Sequence, residues 1–522
     1  MTGRQHVFGL TRRHGEVIIG YNYKSEIPSA ISKGGRDSNM NLGRMLEETT
    51  GRYPGNIAFI HDKCRMTYEE FNGAANALAN HYRSLGLGKG DKIAIMLPNC
   101  PEFIISYFAA QKLGAVAVTL NVMSTPYELR HLLGNSDAKL FITQAPLAKR
   151  YEEIKEDLPL CKHLLTTGGM DTESPFTQAL RNHARTWKMP VIDPDDPAVM
   201  IYTSGLTGRP LGAVLTHANL MTQAVLFEKE FDGTPQERGL AVIPFFHSFG
   251  AAANMLAVFY IGASVVLMER FTLESIFAAM EKERVTYVCS VPRMFLGMLF
   301  HQGAEKFDLS ALRFCITGGS AIPGEFLTLF REKFGVPLLE GYGLTEASPI
   351  CTISMLYRPQ KPGSIGTPIA GLEARIVADD GTELPRGQIG ELIVRGENIM
   401  KGYYKDEQAT TEVIRDGWLH TGDLGRMDED GYIFLTGRKK RMIITSGFNV
   451  YPREVEIVLE MHPAVAAARV ESKEDMMRGE IVKALIVRKP GMDADEKEIL
   501  RHCRAYLSSY KLPREVEFVA AL

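Results

Sequence analysis

This 522-residue chain has no stretch of about 18 uninterrupted apolar residues, which excludes an ordinary membrane-spanning helix, and no stable membrane insertion is expected. Its first twenty residues, MTGRQHVFGLTRRHGEVIIG, carry basic side chains but only short apolar runs, so no secretory signal is expected. Charge of one sign is also lacking. A formal net charge of −3 leaves no global footprint for nucleic acid or an anionic membrane, so any anion site must be local. Cysteine is sparse: seven residues, an odd number, scattered from Cys64 to Cys503 with no C-x-x-C pair. That excludes a disulfide framework and a clustered zinc site, and reads as reduced core thiols in a cytoplasmic protein. What is present is ordinary globular material, 45% hydrophobic and 23% charged, long enough for more than one domain with sizeable cores.

The segment DKIAIMLPNCPEFIISYFAAQKLGAVAVTLN, residues 91–121, predicts a βαβ unit. Ile93 to Leu97 is a short apolar strand, Pro101 suits a first helical turn, and Phe103, Ile104, Tyr107 and Phe108 make one helical stripe. Ala115 to Leu120 is the returning strand. GLAVIPFFH, GASVVLME, VTYVCSVP and LRFCITGG are further buried-strand candidates separated by helical stretches. In GLEARIVADDGTELPRGQIGELIVRG the period changes to two, with Asp380-Gly381 as a hairpin signal, and the chain to about residue 437 reads as antiparallel. After GRKKR, a helical stripe at Val455, Val458 and Leu459, the strand EIVKALIV and a helix from Asp495 to Leu507 make a short α+β region. The expectation is an α/β protein: two layered α/β subdomains plus a small β-barrel-like subdomain in residues 1–437, a junction at 438–441, and a small mobile α+β domain in 442–522.

YTSGLTGRPLGAVLTH, residues 202–217, follows a short apolar strand and is crowded with glycine and hydroxyl residues. Gly205, Gly208 and Gly212 let backbone N–H groups approach an anion, and Thr203, Ser204 and Thr207 add hydroxyls. It is not a Walker A loop, since no lysine follows the second glycine. Standing alone it reads equally as a glycine turn or a phosphate site.

Six further stretches follow in order: FFHSFG (245–250), TGGSAIP (317–323), EGYGLTEASP (340–349), GWLHTGDLG (417–425), GRKKRMIITSGFNVYPREVE (437–456) and YKLPREVEFV (510–519). With the glycine loop they resemble the adenylate-forming superfamily of acyl-CoA synthetases, firefly luciferase and peptide-synthetase adenylation domains. SGFNVYPREVE followed by RGEIVKALIV is most similar to the acyl-CoA synthetase branch. The resemblance implies an enzyme that joins a small carboxylic acid to coenzyme A at the expense of ATP, releasing AMP and pyrophosphate, with Mg²⁺ as cofactor.

By that resemblance Thr203, Ser204, Gly205, Thr207 and Gly208 would wrap the β,γ-phosphates, Thr345 would meet the α-phosphate, and Glu346 would help hold magnesium. Tyr342 would stack on adenine beside Gly319, Ser320 and Ala321, with Glu340, Gly341 and Gly343 completing the nucleotide wall. Asp423 and Arg438 would hold the ribose hydroxyls. Phe246 and His247, with Gly318 and Gly341, would stand where the acyl and ATP pockets meet, although a histidine in an apolar run reads equally as a core residue. GAAANMLAVFY beside it offers no charge for an amino group, which favours an apolar fatty, alicyclic or aromatic acid. Lys440 would be the pivot on which the small domain turns, bringing Ser446, Gly447 and Phe448 to the pantetheine arm. Arg478 and Lys511 are candidates for the CoA phosphates, or are solvated surface charge.

Two departures from the family's pattern stand out. Leu206 and Leu211 occupy positions where the family usually has a hydroxyl residue and a lysine, which predicts weakened ATP handling. The family's catalytic lysine falls in a segment beyond YKLPREVEFV, and no residue here matches it: either a tail after VAAL carries it, which is the favoured expectation, or this form lacks that lysine. A reaction run toward ATP, a carrier-protein-loading adenylase, a luciferase-like oxygenase, a non-catalytic acyl-adenylate binder and a homodimer all stay open.

Overall fold

Proline at the first helical position and Gly114 just past the end, at φ 75°, bracket the helix Pro101–Leu113. The strands on either side, Lys92–Met96 and Val116–Thr119, pair in parallel, as the βαβ reading expects. The helix departs from expectation in its surface: every residue is buried, not one stripe. Helices Leu42–Arg52 and Tyr68–Ser84 cover the side away from the sheet, so no face meets water. Its two charges are satisfied inside: Lys112 Nζ lies 2.9 Å from Glu47, and Glu102 accepts from the Thr167 hydroxyl at 2.8 Å.

The computed structural model describes residues 11–13, 16–18, 40–204, 209–439, 442–475 and 478–522. Strands Thr11–Arg13 and Glu16–Ile18 form an antiparallel pair within a first unit; residues 38–522 form the second. In the second, one seven-stranded sheet runs Gly402–Tyr403, Pro210–Thr216, Pro197–Ser204, Val116–Thr119, Lys92–Met96, Ala138–Gln144, His163–Thr167, parallel from Pro197–Ser204 onward. A nine-stranded sheet has a parallel centre made of Leu338–Gly343, Phe314–Thr317, Tyr287–Ser290, Arg238–Ala241, Ser264–Leu267 and Ile57–His61. All four buried-strand candidates thus lie side by side in one sheet.

The period-two segment is antiparallel throughout, with Leu372–Val377, Gly390–Gly396, Trp418–Met427 and Ile433–Arg438 in one sheet. Asp380-Gly381 does turn the chain, Gly381 at φ 86°, but it closes only the bridge Val377–Glu383; the true partner strand begins nine residues beyond Gly381, at Gly390. The small C-terminal α+β domain has its own core. Helices Pro452–Glu460 and Glu496–Tyr506 pack on a sheet of Ile443–Thr445, Phe448–Val450, Val465–Asp475, Gly479–Arg488 and Glu515–Phe518. All seven cysteines are free and six are buried. Among the described residues no helix is long and apolar enough to cross a membrane.

Candidate active site

Loops that leave the carboxyl ends of parallel strands are where open α/β sheets bind ligands. Here Thr203 ends one such strand, and His247, Gly318 and Thr345 follow the strands Arg238–Ala241, Phe314–Thr317 and Leu338–Gly343. All four line one cavity of about 1510 Å³, and Asp423 and Arg438 from the antiparallel sheet and Gly447 from the small domain line it too.

Asp423 and Arg438 are cross-strand partners, and Arg438 Nε donates to Asp423 Oδ1 at 2.9 Å. The other carboxylate oxygen accepts from the Tyr342 hydroxyl at 2.6 Å. Three residues from three motifs therefore meet at one carboxylate. Behind it Glu391 accepts from the Gly422 amide at 3.0 Å and pairs with Lys439 at 3.2 Å, fixing the turn that presents Asp423. Burial, and then the neighbouring Asp423 charge, push the Tyr342 phenol well up, so it stays a donor.

Glu346 is held by two residues from outside its motif. Thr203 Oγ1 donates to its Oε1 at 3.2 Å and Tyr403 donates to the same oxygen at 2.7 Å, while Oε2 makes no hydrogen bond among the described residues. Ser248 Oγ lies 3.3 Å from Thr345 Oγ1. Tyr403 and Ser248 went unrecognised in the sequence because KGYYK resembles no phosphate motif and a serine beside an apolar run has no signature of its own.

His247 caps a short helical turn, its Nδ1 accepting from the Phe249 amide at 3.2 Å. Burial lowers its pKa to about 4, so the ring is neutral and its proton sits on Nε2. Phe246 is packed in the main core and does not line the cavity; Phe249 does. This corrects the expectation for Phe246: the turn before the helix Ser248–Ala251 leaves its ring in the core and brings His247, Ser248 and Phe249 to the cavity. Gly318 packs so closely on Gly341 that an added Cβ would stand 3.1 Å from the Gly341 oxygen, so the two glycines narrow the cavity here. Gly319, Ser320, Ala321 and Gly343 also line it.

Glu340 is a buried carboxyl on the same wall, with Oε2 unpartnered and its pKa pushed up to about 7 by burial, against an ordinary 4.5. A raised carboxyl pKa costs stability at high pH. Below about pH 4.5 both folded and unfolded chains are protonated; between 4.5 and 7 only the folded chain holds the proton, so stability falls as pH rises through that window. Glu340→Gln should therefore raise the melting temperature at pH 8, by a gain of roughly 3 kcal/mol, and change it little at pH 4.5. Thermal unfolding at both pH values checks this, and an equal shift at the two would refute it.

From the small domain, Gly447 lines the cavity at φ 85°, and an added Cβ would lie 2.6 Å from Val291 Cγ1. Ser446 Oγ accepts from Arg293 at 3.1 Å, and Phe448 stacks on Tyr510 at 4.7 Å, away from the cavity wall. Arg478 is tied to the same loop by its backbone, its carbonyl accepting from the Ser446 amide at 2.8 Å. Lys511 is not brought to the cavity. It is buried, with Nζ 2.8 Å from Glu128 and 2.6 Å from Glu454, so in this arrangement it is not free for an anion. Gly205, Leu206, Thr207, Gly208 and Lys440 lie outside the described residues, as does the Ser204 side chain.

A family profile described as AMP-binding enzyme matches residues 46–404, and one described as AMP-binding enzyme C-terminal domain matches residues 454–522. The chain is 33% identical over 526 residues to the long-chain-fatty-acid–CoA ligase of Bacillus subtilis (strain 168), covering 95% of this chain and 93% of that protein. It is 35% identical over 485 residues to the feruloyl-CoA synthase of an Amycolatopsis species, covering 93% and 96%. A solved structure of o-succinylbenzoate CoA synthetase from Bacillus subtilis, a double mutant bound with a product analogue, matches with a TM-score of 0.83 at 29% identity, covering 92% of this chain and 94% of that one.

Proposed function

The chain belongs to the AMP-binding enzyme family and is an AMP-forming acid–thiol ligase that makes acyl-CoA; from that premise we propose that its substrate is an apolar fatty, alicyclic or aromatic carboxylic acid. The observation that carries the proposal is the set of apolar side chains Leu226, Phe227, Phe231, Ala252, Ala253 and Ala257 among those that line the cavity. Such a surface gains from an apolar tail; Glu230 lines the cavity beside it, and burial pushes its carboxyl pKa up, which disfavours the charge needed to pair with an α-amino group.

In the first step a carboxylate oxygen attacks the α-phosphorus of ATP, the α–β bridging bond breaks and pyrophosphate leaves. In the second the CoA sulfur attacks the acyl carbon, the carbon–oxygen bond to phosphate breaks, AMP leaves and the thiol proton passes to solvent. Both steps need charge stabilisation more than acid–base chemistry. His247 keeps a neutral Nε2–H for the substrate carboxylate at the junction of the two pockets. Asp423 accepts from the ribose hydroxyls while Arg438 and Tyr342 hold it in place, and the Tyr342 ring lies against adenine beside Gly319 to Ala321. Thr345 meets the α-phosphate, and Thr203 with the loop to Gly208 meets the β,γ-phosphates.

Magnesium fits Glu346: both of its hydrogen bonds fall on Oε1, which leaves Oε2 for a cation. Among the described residues no group of three His, Cys, Asp or Glu side chains could hold a metal by itself. The ion would take one carboxylate plus phosphate oxygens and water, a pattern common for magnesium. When bound it neutralises charge on the phosphates. Residues 1–437 and 442–522 would change their relative orientation between the two steps about 438–441, with Lys440 as pivot, Ser446 and Gly447 flanking the pantetheine arm, and Arg478 meeting CoA phosphates. Thioester and anhydride bonds are of comparable energy, so the reaction is reversible.

A screen of carboxylic acids for CoA-dependent AMP release tests the substrate class. Straight-chain, alicyclic and aryl acids are expected to turn over and amino acids to fail. Turnover of amino acids alone, or dependence on a carrier protein in place of free CoA, would overturn it.

A further inference from the structure

The contact between the small domain and helix Pro126–Ser136 is unusual for a surface meant to slide. Lys511 and Glu128 are each 7% exposed or less, and Lys511 Nζ sits between Glu128 Oε1 at 2.8 Å and Glu454 Oε1 at 2.6 Å. Glu128 Oε2 accepts from the Ser508 hydroxyl at 2.6 Å and from the Thr125 amide at 2.9 Å. Thr125 Oγ1 in turn donates to the Tyr506 carbonyl at 2.8 Å, and Tyr127 meets Tyr506 edge-on at 5.3 Å. Tyr510, beside Lys511, stacks on Phe448 of the loop that presents Gly447 to the cavity. The polar cluster is thus linked, through one aromatic pair, to the glycine that meets Val291.

We infer that Glu128, Lys511 and Glu454 form a buried latch that holds the small domain where Gly447 meets the cavity, making Glu128 a positioning residue for thioester formation. The inference rests on the two-step reading above. A charge buried with its partners is expensive to strip of one of them, so the latch favours the arrangement in which all three are together. In any other arrangement Glu128 and Lys511 separate, and water must solvate each. Burial alone would push Glu128 toward its neutral form, but the Lys511 ammonium and the Ser508 and Thr125 donors hold its carboxyl below the usual range, so the pair is ionic. Nothing in the cluster touches the cavity, which separates holding from chemistry.

Glu128→Gln is the first test, because glutamine keeps the helix cap at Thr125 while removing the charge. Lys511→Met and the milder Ser508→Ala accompany it. Three readouts are taken on the full chain: ATP–pyrophosphate exchange, single-turnover thioester formation from preformed acyl-adenylate with its KM for CoA, and amide hydrogen exchange of residues 506–511. The latch predicts at least a tenfold slower thioester step in Glu128→Gln and Lys511→Met, and a smaller loss in Ser508→Ala. Pyrophosphate exchange should stay within twofold in Glu128→Gln, and residues 506–511 should exchange faster while Pro452–Glu460 does not. Equal losses in both half-reactions, or unchanged hydrogen exchange, would overturn it. So would a CoA KM that falls in Glu128→Gln and rises in Lys511→Met, which would make Lys511 a phosphate ligand. Absence of CoA-dependent turnover in the unmodified protein would instead overturn the two-step reading, while the hydrogen-exchange result still reports on the latch.

Discussion

Asp423→Ala should weaken ATP and AMP binding by about 30- to 150-fold, a loss of roughly 2 to 3 kcal/mol. Two effects add. The ribose loses a charge-assisted acceptor, and the two groups that hold Asp423 lose their partner: Arg438, 2.9 Å away, and the half-buried Tyr342 hydroxyl, 2.6 Å away. The second effect also lowers thermal stability, because a half-buried hydroxyl without its partner bears part of its desolvation cost. Asp423→Asn, which keeps one acceptor oxygen for the Tyr342 hydroxyl or the Arg438 guanidinium, should recover part of the stability and less of the binding. Titration calorimetry with AMP, beside a melting curve for each variant, separates the two. Nucleotide affinity equal to that of the unmodified protein in Asp423→Ala would remove the carboxylate from the ribose site.

That prediction draws on residues the sequence already singles out, and the reason is geometric. TGGSAIP and EGYGLTEASP straddle the ends of strands and GWLHTGDLG opens one, so a motif in one dimension becomes a wall of the cavity in three. Local chemistry with a fixed turn is readable from spacing. Partnerships between distant segments are not: Tyr403 reaches Glu346 across 57 positions, and Lys511 reaches Glu128 across 383. A lysine next to a C-terminal strand reads as solvated or anion-seeking until the fold supplies two carboxylates. The helix Pro101–Leu113 fails similarly, since its apolar stripe is visible in sequence while the two helices that cover its other side lie elsewhere in the chain. Leu211 is intermediate. It stands opposite Thr203 in the antiparallel ladder and lines the cavity, so the departure from a cationic side chain falls on the cavity wall, where the pattern of the phosphate loop would suggest.

Gly447→Ala should nearly abolish thioester formation while sparing adenylation. The position combines two demands that only glycine meets. Its φ of 85° lies in the left-handed region, where a side chain is strained by roughly 1 kcal/mol or more, and the added methyl would stand 2.6 Å from Val291 Cγ1, well inside contact distance. The loop cannot yield easily, because Ser446 is bonded to Arg293 on one side and Phe448 is stacked on Tyr510 on the other. The small domain would have to back away from the cavity, and a displacement near 1 Å at a reacting centre is enough to cost about a hundredfold in rate. Pyrophosphate exchange does not need this approach, so it should change by less than threefold. Val291→Ala opens space at the point of collision without altering the backbone at residue 447. Adding it to Gly447→Ala should restore part of the thioester rate if the steric term dominates, and none of it if the φ strain does. Equal loss of both half-reactions in Gly447→Ala would show that Gly447 serves the fold of the small domain and not the approach of the thiol.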